Sequence, residues 1–455
     1  MRAHAVGAAL AALALGAASP AAGAEVDFES AIATALESNP GLLAIEEVRH
    51  QVAGGIREAR ADAYPQFAVA AGWGQSRSPA FLNSPDFEGI LEQFPGGRFE
   101  PSTQELSTAA IELTQPVWTF GKVGAAVELA ELVAGAAEQQ IATARLDVAQ
   151  AAAEAYLQVL AAREGLTTVE SEREFRRRDL ERIDSLLELG EATELERLRA
   201  FAALAVIEPE VERRRGQVTI AETRLRQLMA LPPGEPLQLS AERRPLPEPP
   251  AAEQAMALAT GRRPELEDLA LQSAAYVKQQ AVTRADGRPQ VELTGFWGRE
   301  VRLVTNFEDP LYSSWAFNLG LRWELFDGGR RRAQIAQMDS QRQQVDLERA
   351  DLEARLRLAV DQALSDYRTA RARTSSADAA AAASREAERV ARESYEQGIV
   401  TQTELLDAQR QAVVSAVTAI EAFYDARVQA VRLARALGQM PNRGWWTNEA
   451  EAGKP

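Results

Sequence analysis

The amino-acid sequence presents one order of motifs twice, and this duplication limits the possible folds more than any other feature. The repeated motifs are Asn39-Pro40 with Arg263-Pro264, Tyr64-Pro65-Gln66-Phe67 with Arg288-Pro289-Gln290-Val291, LTQPVWTFG from Leu113 with LRWELFDGG from Leu321, and LGEAT from Leu189 with QGIVT from Gln397. The first two pairs lie 224 residues apart and the last two 208 apart, because the first copy carries a longer insertion (77–103) than the second (304–311). A unit of about 200 residues is far longer than a solenoid repeat. The sequence therefore predicts two copies of one large unit.

The N-terminus has the pattern of an export signal. Arg2 and His4 precede an apolar run from Ala5 to Ala18, and Ala22-Gly23-Ala24 follows as a small-residue cleavage site. The alternative, an Ala-rich anchor helix, is disfavoured because a membrane-spanning helix needs about 20 apolar residues. The predicted organisation is a cleaved signal peptide at 1–24, a first repeat at 25–231, a Pro-rich inter-repeat segment at 232–262, a second repeat at 263–441 and a C-terminal tail at 442–455.

Each copy is predicted to contain two strands, because apolar and polar residues alternate with a period of two. The predicted strands are at about 64–76 and 104–118 in the first copy and 288–303 and 312–326 in the second. From Trp315 to Leu325 the odd positions are apolar or aromatic, whereas the even positions are small, polar or charged. Alternation alone leaves two possibilities open, a water-soluble sandwich and strands that face lipid.

The strands are followed by uninterrupted helical sequence. No proline occurs between Leu311 and Met440, and between Arg330 and Met440 the only glycines are Gly398 and Gly438. Residues 329–397 are therefore predicted to form one helix of about 100 Å, at 1.5 Å per residue, and 122–189 its counterpart. The return helix carries two apolar stripes and a polar third stripe that includes Gln411, Ser415 and Thr418. Two stripes indicate contacts with two neighbouring helices, so the helices are expected to form coiled hairpins with tips near 190 and 398.

Composition excludes several classes of function. Asp plus Glu number 66 against 50 Lys plus Arg, a net charge of −16, which argues against nucleic acid as a partner. The chain has no Cys and two His, so a thiolate or His-based metal site, a catalytic thiol and a Ser-His-Asp triad lack material. We therefore expect no enzymatic activity, no cofactor and no metal. The rival interpretation is a periplasmic coiled-coil adaptor or structural tether without a channel.

Four strands are too few to close a membrane barrel, which needs about eight. If the strands face lipid, other copies of the chain must complete the barrel, and three copies related by cyclic symmetry would supply twelve strands. The predicted fold class is α+β: long α-helical coiled-coil hairpins plus four transmembrane β-strands per chain, which complete a 12-stranded β-barrel and a helical tube as a trimer.

The order, duplication and lengths of these motifs resemble the TolC-type outer membrane efflux proteins over roughly residues 27 to 441. The resemblance implies a homotrimer in the outer membrane that extends into the periplasm, with an equatorial belt from 232–262 and the segment after Met440. It implies a passive, gated exit duct for efflux or type I secretion. The implied partners are outer membrane lipid, a periplasmic adaptor (membrane fusion) protein and an inner-membrane pump or ABC-type transporter.

Candidate site residues lie at the hairpin tips. Glu404 and Asp407 share one helix face because they are three residues apart, and threefold symmetry would turn them into acidic rings that select cations. They also match the constriction residues of the family. An ordinary solvated acidic face is the alternative.

The resemblance implies a gate and a docking surface as well. Tyr395 and Glu196 match a gating Tyr-carboxylate pair, although the arginine of that gate falls at Val400. The tips at Gly190, Thr193, Gly398 and Thr401 match the adaptor-contact turns. Taken alone, each glycine indicates only a turn between two helices.

Overall fold

The computed structural model describes residues 25–77, 103–234, 237–240, 246–301, 306 and 308–441. The predicted signal peptide at 1–24 and tail at 442–455 lie outside the described residues, as do most of the insertion at 77–103 and part of the one at 304–311. Across the described part, the chain is mostly helical and contains one small antiparallel sheet.

The helices and strands follow in a similar order in the two copies, although the first has one more helix before its strands. The first copy contains α1 (Phe28–Ser38), α2 (Pro40–Glu46), α3 (Val48–Ala61), β1 (Gln66–Arg77), β2 (Thr103–Trp118), α4 (Lys122–Glu188) and α5 (Glu194–Leu228). The second contains α6 (Ala252–Arg262), α7 (Pro264–Ala285), β3 (Gln290–Val301), a short 3-10 helix (Pro310–Tyr312), β4 (Ser313–Arg322), α8 (Arg330–Glu396) and α9 (Gln402–Ala436).

Four pairs of corresponding elements in the two copies match in length. α1 and α6 have 11 residues each, β1 and β3 have 12, α4 and α8 have 67, and α5 and α9 have 35. α2 and α7 begin at Pro40 and Pro264, where the missing proline N–H removes no helical hydrogen bond. The same local signals therefore start and end the elements of both copies.

The two longest helices, α4 and α8, follow glycines in the left-handed region. Gly121 has a φ of +86° and Gly329 a φ of +90°, a conformation that costs an L-residue about 1–2 kcal/mol. At 1.5 Å per residue, each of these helices is about 100 Å long. Within the described ranges, none of the helices combines the length and apolar composition needed to cross a lipid bilayer.

The described residues fall into two compact units. The first comprises those within Met1–Ile45, Ile141–Arg263 and Ala354–Pro455, and the second those within Glu46–Gln140 and Pro264–Glu353. In the first unit, α9 buries residues of both predicted apolar stripes, including Ala430 and Val431. Ser415 belongs to the polar stripe, which was expected to face water, but it is buried, and its hydroxyl lies 3.0 Å from the Ser384 hydroxyl of α8. That prediction was wrong because a small hydroxyl at a close helix contact finds its partner across the interface.

The Pro-rich inter-repeat segment is fastened to the first unit by two tyrosine hydroxyls. Tyr156 on α4 donates to the Ser240 carbonyl at 2.5 Å, and Tyr367 on α8 donates to the Pro247 carbonyl at 2.6 Å. Both tyrosine side chains are buried, so each ring fills core volume while its hydroxyl satisfies a carbonyl outside regular structure.

The sheet of the second unit has the order β1-β2-β3-β4, antiparallel throughout. Its register arranges side chains in alternating rows. One apolar row contains Val69, Ile111, Trp297 and Trp315, and a polar row three positions away contains Gln66, Thr114, Thr294 and Asn318. Val69 is 81% exposed and Trp315 69% exposed. A water-soluble sandwich would cover these apolar side chains with a second layer, yet every residue of β1 is exposed.

β4 ends at Arg322, four residues before the predicted end at 326. Arg322 pairs with Gln290, the first residue of β3, so residues beyond it have no ladder partner on that strand. The indole N–H of Trp323 instead donates to the Gly287 carbonyl at 3.2 Å. Apolar and polar residues keep alternating beyond Arg322, although pairing with β3 stops there. The sequence pattern therefore predicted too long a strand.

The duplication supplies a matched test of backbone conformation after α5 and α9. Ala230 and Gly438 occupy equivalent positions, with φ values of +52° and +72°, and a Cβ on Gly438 would come within 2.9 Å of the Arg262 carbonyl oxygen. Gly438→Ala should lower stability by about 1–2 kcal/mol, because it adds left-handed strain. Ala230→Gly should raise stability by about 0.5 kcal/mol, since relieved strain exceeds the entropy cost of glycine. Thermal melting of detergent-solubilised protein measures both stability changes. Changes of the same sign in the two variants would contradict the left-handed strain inferred at these positions.

Candidate functional site at the helix tips

Both hairpin tips close with the same glycine-centred turn. Gly190 and Gly398 have φ values of +78° and +72°. After α4, the Glu191 N–H donates to the Leu186 carbonyl at 2.8 Å, and after α8 the Ile399 N–H donates to the Ser394 carbonyl at 2.8 Å. These six-residue closures are Schellman motifs, which satisfy helix-end carbonyls and favour glycine at the left-handed position. The tip glycines are thus explained by the turn itself, and they are exposed.

Each return helix begins with a capping box. The Thr193 N–H donates to Glu196 Oε2 at 2.8 Å, and the Glu196 N–H donates to Thr193 Oγ1 at 3.3 Å. Thr401 and Glu404 repeat this exchange at 2.7 and 3.3 Å. Reciprocal bonds of this kind satisfy N–H groups that have no partner within the helix. The four residues, two of them predicted adaptor contacts, therefore stabilise the starts of α5 and α9.

The second hairpin (α8 and α9) is hydrogen-bonded to the first at the start of α5. The Tyr395 hydroxyl of α8 donates to Glu196 Oε1 at 3.2 Å, so the two residues matched to the family gate meet. The Gln402 side-chain amide of α9 donates to the Glu196 backbone carbonyl at 2.9 Å. We call these two hydrogen bonds the latch. Glu196 thus uses one carboxylate oxygen for its own cap and the other for the neighbouring hairpin.

Gln402 is a site residue that the sequence did not indicate. Its side chain is 5% exposed, and its Oε1 has no hydrogen-bond partner among the described residues. The equivalent position in the first copy is Glu194, which is exposed and pairs with Arg197. In the sequence, the only sign of a special role is that a charged residue in the first copy is replaced by an amide in the second. This replacement does not indicate that the amide donates to Glu196.

Glu404 and Asp407 lie on α9, and neither carboxylate is isolated. Glu404 Oε2 accepts the capping bonds from Thr401, and Asp407 forms an ion pair with Arg410 one turn later. Asp407 and Arg410 are 60% and 69% exposed. The sequence-based prediction of two acidic rings did not include this arginine, which offsets part of the negative charge that Asp407 supplies.

Hydrogen bonding shifts the ionisation of these groups. The Thr193 backbone N–H is the main cause that lowers the pKa of Glu196, and the Thr401 backbone N–H likewise lowers the pKa of Glu404. Burial raises the pKa of Tyr395, and the Glu196 charge adds to this effect. At neutral pH both glutamates are therefore ionised and Tyr395 keeps the proton that it donates.

Comparison with known proteins gives the chain a family context. The family model described as outer membrane efflux protein matches residues 31–231 and 255–439. A curated relative, the outer membrane protein OprJ of Pseudomonas aeruginosa, is 26% identical over 422 residues, which cover 91% of this chain and 84% of OprJ.

Two solved structures share the fold. A membrane protein from Pseudomonas aeruginosa has a TM-score of 0.74 at 23% identity, with 90% of this chain and 93% of that one covered. The outer membrane channel CmeC of Campylobacter jejuni has a TM-score of 0.76 at 17% identity, with 94% and 89% covered.

The capping box at α9 predicts different outcomes for two substitutions. Thr401→Ala should weaken the start of α9 by about 1 kcal/mol, since it removes the hydroxyl that caps the Glu404 N–H. Glu404→Gln should keep the hydrogen bonds of the box, because an amide oxygen also accepts the Thr401 N–H, and should lose only the smaller contribution of the charge. Hydrogen exchange at residues 402–405 measures both, and exchange in Glu404→Gln as fast as in Thr401→Ala at pH 7 would contradict the capping role.

The same box predicts a pH dependence. The folded-state pKa of Glu404 lies below its ordinary value of 4.5, so its contribution to the cap is fully present above that pH and is lost as pH falls through the lowered pKa. Exchange rates at 402–405, corrected for the intrinsic effect of pH, should rise in the wild type as acid is added. In Glu404→Gln the corrected rates should stay level.

Proposed function

Since the chain belongs to the outer membrane efflux protein family, we propose that three copies assemble into a passive, gated exit duct across the outer membrane. In this proposal the chain catalyses no reaction and needs no cofactor. Each copy contributes four strands to a 12-stranded barrel and two helical hairpins to a tube that extends into the periplasm.

The observation that carries the proposal is the exposed apolar row of the sheet, Val69-Ile111-Trp297-Trp315, together with its neighbour, which includes Phe67 and Phe317. Apolar surface in water is unfavourable by about 25 cal/mol per Å², and large exposed apolar patches mark contact with lipid or protein. The order β1-β2-β3-β4 also leaves β1 and β4 as edges, whose unpaired N–H and C=O groups must be satisfied in a membrane. Pairing β4 of one copy with β1 of the next satisfies both requirements.

Exposed apolar side chains on the helices support assembly as well. α5 exposes Leu195, Leu198, Phe201, Val206 and Ile220, and α8 exposes Leu358 and Val390. Leu195, Leu198 and Phe201 recur at intervals of three residues, which places them along one side of the helix, where a partner helix would cover them. A neighbouring copy in a trimer supplies such helices.

The tips supply the gate and the docking surface of the proposed duct. Opening would separate the second hairpin from the first, and the latch opposes that separation through Tyr395 and Gln402. Glu404 and Asp407 would line the narrow end as acidic rings, with Arg410 moderating the Asp407 ring. The exposed turns at Gly190 and Gly398 would meet a periplasmic adaptor, which couples the duct to an inner-membrane pump or ABC-type transporter for efflux or type I secretion.

Ion selectivity tests the duct and its acidic rings together. In planar bilayers the purified protein should form pores that prefer cations, and Glu404→Gln with Asp407→Asn should lower that preference, because charge at a constriction sets selectivity. Arg410→Gln should raise it by freeing Asp407. The control is Asp62→Asn with Glu267→Gln, exposed carboxylates that give the same change in charge. Absence of pores would reject the duct, whereas pores with unchanged selectivity would reject only the acidic rings.

The latch is tested with a pair of tyrosine variants. Tyr395→Phe with Gln402→Leu should raise the open fraction of the pores, because each lost hydrogen bond is worth about 1 kcal/mol, roughly a fivefold shift in an equilibrium. Tyr424→Phe is the matched control, since its hydroxyl donates to Glu164 at 2.8 Å elsewhere in the first unit. Single-channel recording measures open time. Equal effects of the tip and control variants would show that the latch does not hold a gate.

A further inference from the structure

A cationic cleft lies in the second unit, where the sheet passes into the helices. Its volume is about 550 Å³. The lining comes from the starts of α4 and α8, the end of α7, the facing ends of β3 and β4, and Trp323. Its charged residues are Lys122, Asp286, Arg288, Arg322, Glu324, Arg330 and Arg331. The cleft thus has five cationic side chains against two carboxylates, although the whole protein carries a net charge of −16.

Ion pairs account for three of these five cations. Lys122 pairs with Asp286 at 2.8 Å, Arg330 pairs with Glu324 at 3.3 Å, and Arg331 pairs with Asp327 at 2.6 Å. Among the described residues, Arg288 donates only to the Phe120 carbonyl, at 3.4 Å. Within the described part of the chain, neither Arg288 nor Arg322 has a carboxylate partner. Both side chains are exposed, so two guanidinium groups in one cleft remain available to an anion.

The wall of the cleft is held in place before any ligand arrives. The Arg331 guanidinium lies between Asp327 Oδ2 and the Glu324 carbonyl, to which it donates at 2.6 and 3.1 Å. The Arg331 backbone N–H and then its guanidinium lower the pKa of Asp327 to about 2. A Cβ on Gly287 would overlap the Arg331 guanidinium, so the glycine leaves room for it. A preorganised wall reduces the entropy lost on binding.

Aromatic and apolar side chains surround this cationic region. Trp323 lines the cleft and is 55% exposed, with its indole N–H bound to the Gly287 carbonyl. Leu325 and Phe326, just beyond it, are 75% and 85% exposed, and Trp118 at the end of β2 is 59% exposed. Tryptophan is enriched where a membrane meets water, and Lys and Arg beside such a belt attract anionic headgroups. The combination distinguishes this cleft from an ordinary solvated basic patch.

We propose that this cleft binds the phosphate group of an anionic phospholipid in the leaflet next to the helices, with Arg288 and Arg322 donating to the phosphate oxygens. Guanidinium groups suit this task because their paired N–H donors match phosphate geometry. Trp323 lies beside the glycerol region and the first methylenes of the acyl chains. The membrane setting rests on the proposed function, but the phosphate chemistry depends on the cleft alone. Free phosphate offers the same chemistry without the acyl chains.

Native mass spectrometry of the full-length protein in detergent tests the proposal. Wild-type protein titrated with phosphatidylglycerol should retain one lipid per chain, and phosphatidylcholine should bind at least tenfold more weakly. Arg288→Gln with Arg322→Gln should reduce phosphatidylglycerol affinity at least tenfold, whereas the matching Lys substitutions should retain most of it. Arg57→Gln with Arg332→Gln is the control for charge, since both arginines are exposed and do not line the cleft.

Each outcome is decisive for one part of the proposal. Equal retention of the two lipids by the wild type would overturn it without any variant, and so would unchanged affinity in the Gln pair. Competition with inorganic phosphate distinguishes a lipid headgroup from free phosphate as the ligand. Phosphate that displaces phosphatidylglycerol at equal concentration would assign the cleft to the free anion and overturn the lipid. Normal pores in planar bilayers alongside failed lipid binding would reject this inference and leave the duct intact.

Discussion

The backbone edges of β1 and β4 present N–H and C=O groups that no other described strand of the chain can satisfy, and the apolar rows between those edges have no second layer. In water, both features favour aggregation. In lipid, the rows are stable but the unpaired edges are not. A closed barrel removes both problems at once, and four strands cannot close one. The proposal that additional copies complete the barrel therefore rests on hydrogen bonding and hydrophobicity as well as on the family comparison.

Duplication explains how one chain contains two similar helical hairpins whose tips carry different side chains. The turn glycines, the capping threonines and the capping glutamates are equivalent in the two copies. Several other tip positions differ, among them Leu187 against Tyr395, Glu194 against Gln402, and Arg199 against Asp407. The first two differences create the latch, because only the second hairpin carries side chains that reach Glu196. Shared residues thus form the scaffold, and the divergent ones allow one hairpin to recognise the other.

Local signals in the sequence predicted the elements well where local physics decides them. The turns at Gly190 and Gly398 and the 67-residue helices depend on glycine conformation and on the absence of proline, both readable from single residues. The end of β4 depends on where β3 begins, so alternation alone placed it too late. Ser415, Gln402 and the edge partners of the sheet depend on contacts distant in sequence. Arg410 is the exception, since its i, i+3 spacing to Asp407 is readable from the sequence alone.

Glu404 links the start of α9 to the charge of the proposed constriction, because the same carboxylate serves both. Its hydrogen bond from the Thr401 N–H favours the ionised form and lowers its pKa. The cap therefore keeps the ring charged as the surroundings become more acidic, and the charge in turn strengthens the cap at the positive end of the helix dipole. Asp407 instead forms an ion pair with Arg410. Of the two acidic positions, Glu404 is thus the one whose charge is supported by the backbone, and the duplication supplies the reason: its counterpart Glu196 has the same cap and devotes its second oxygen to the latch.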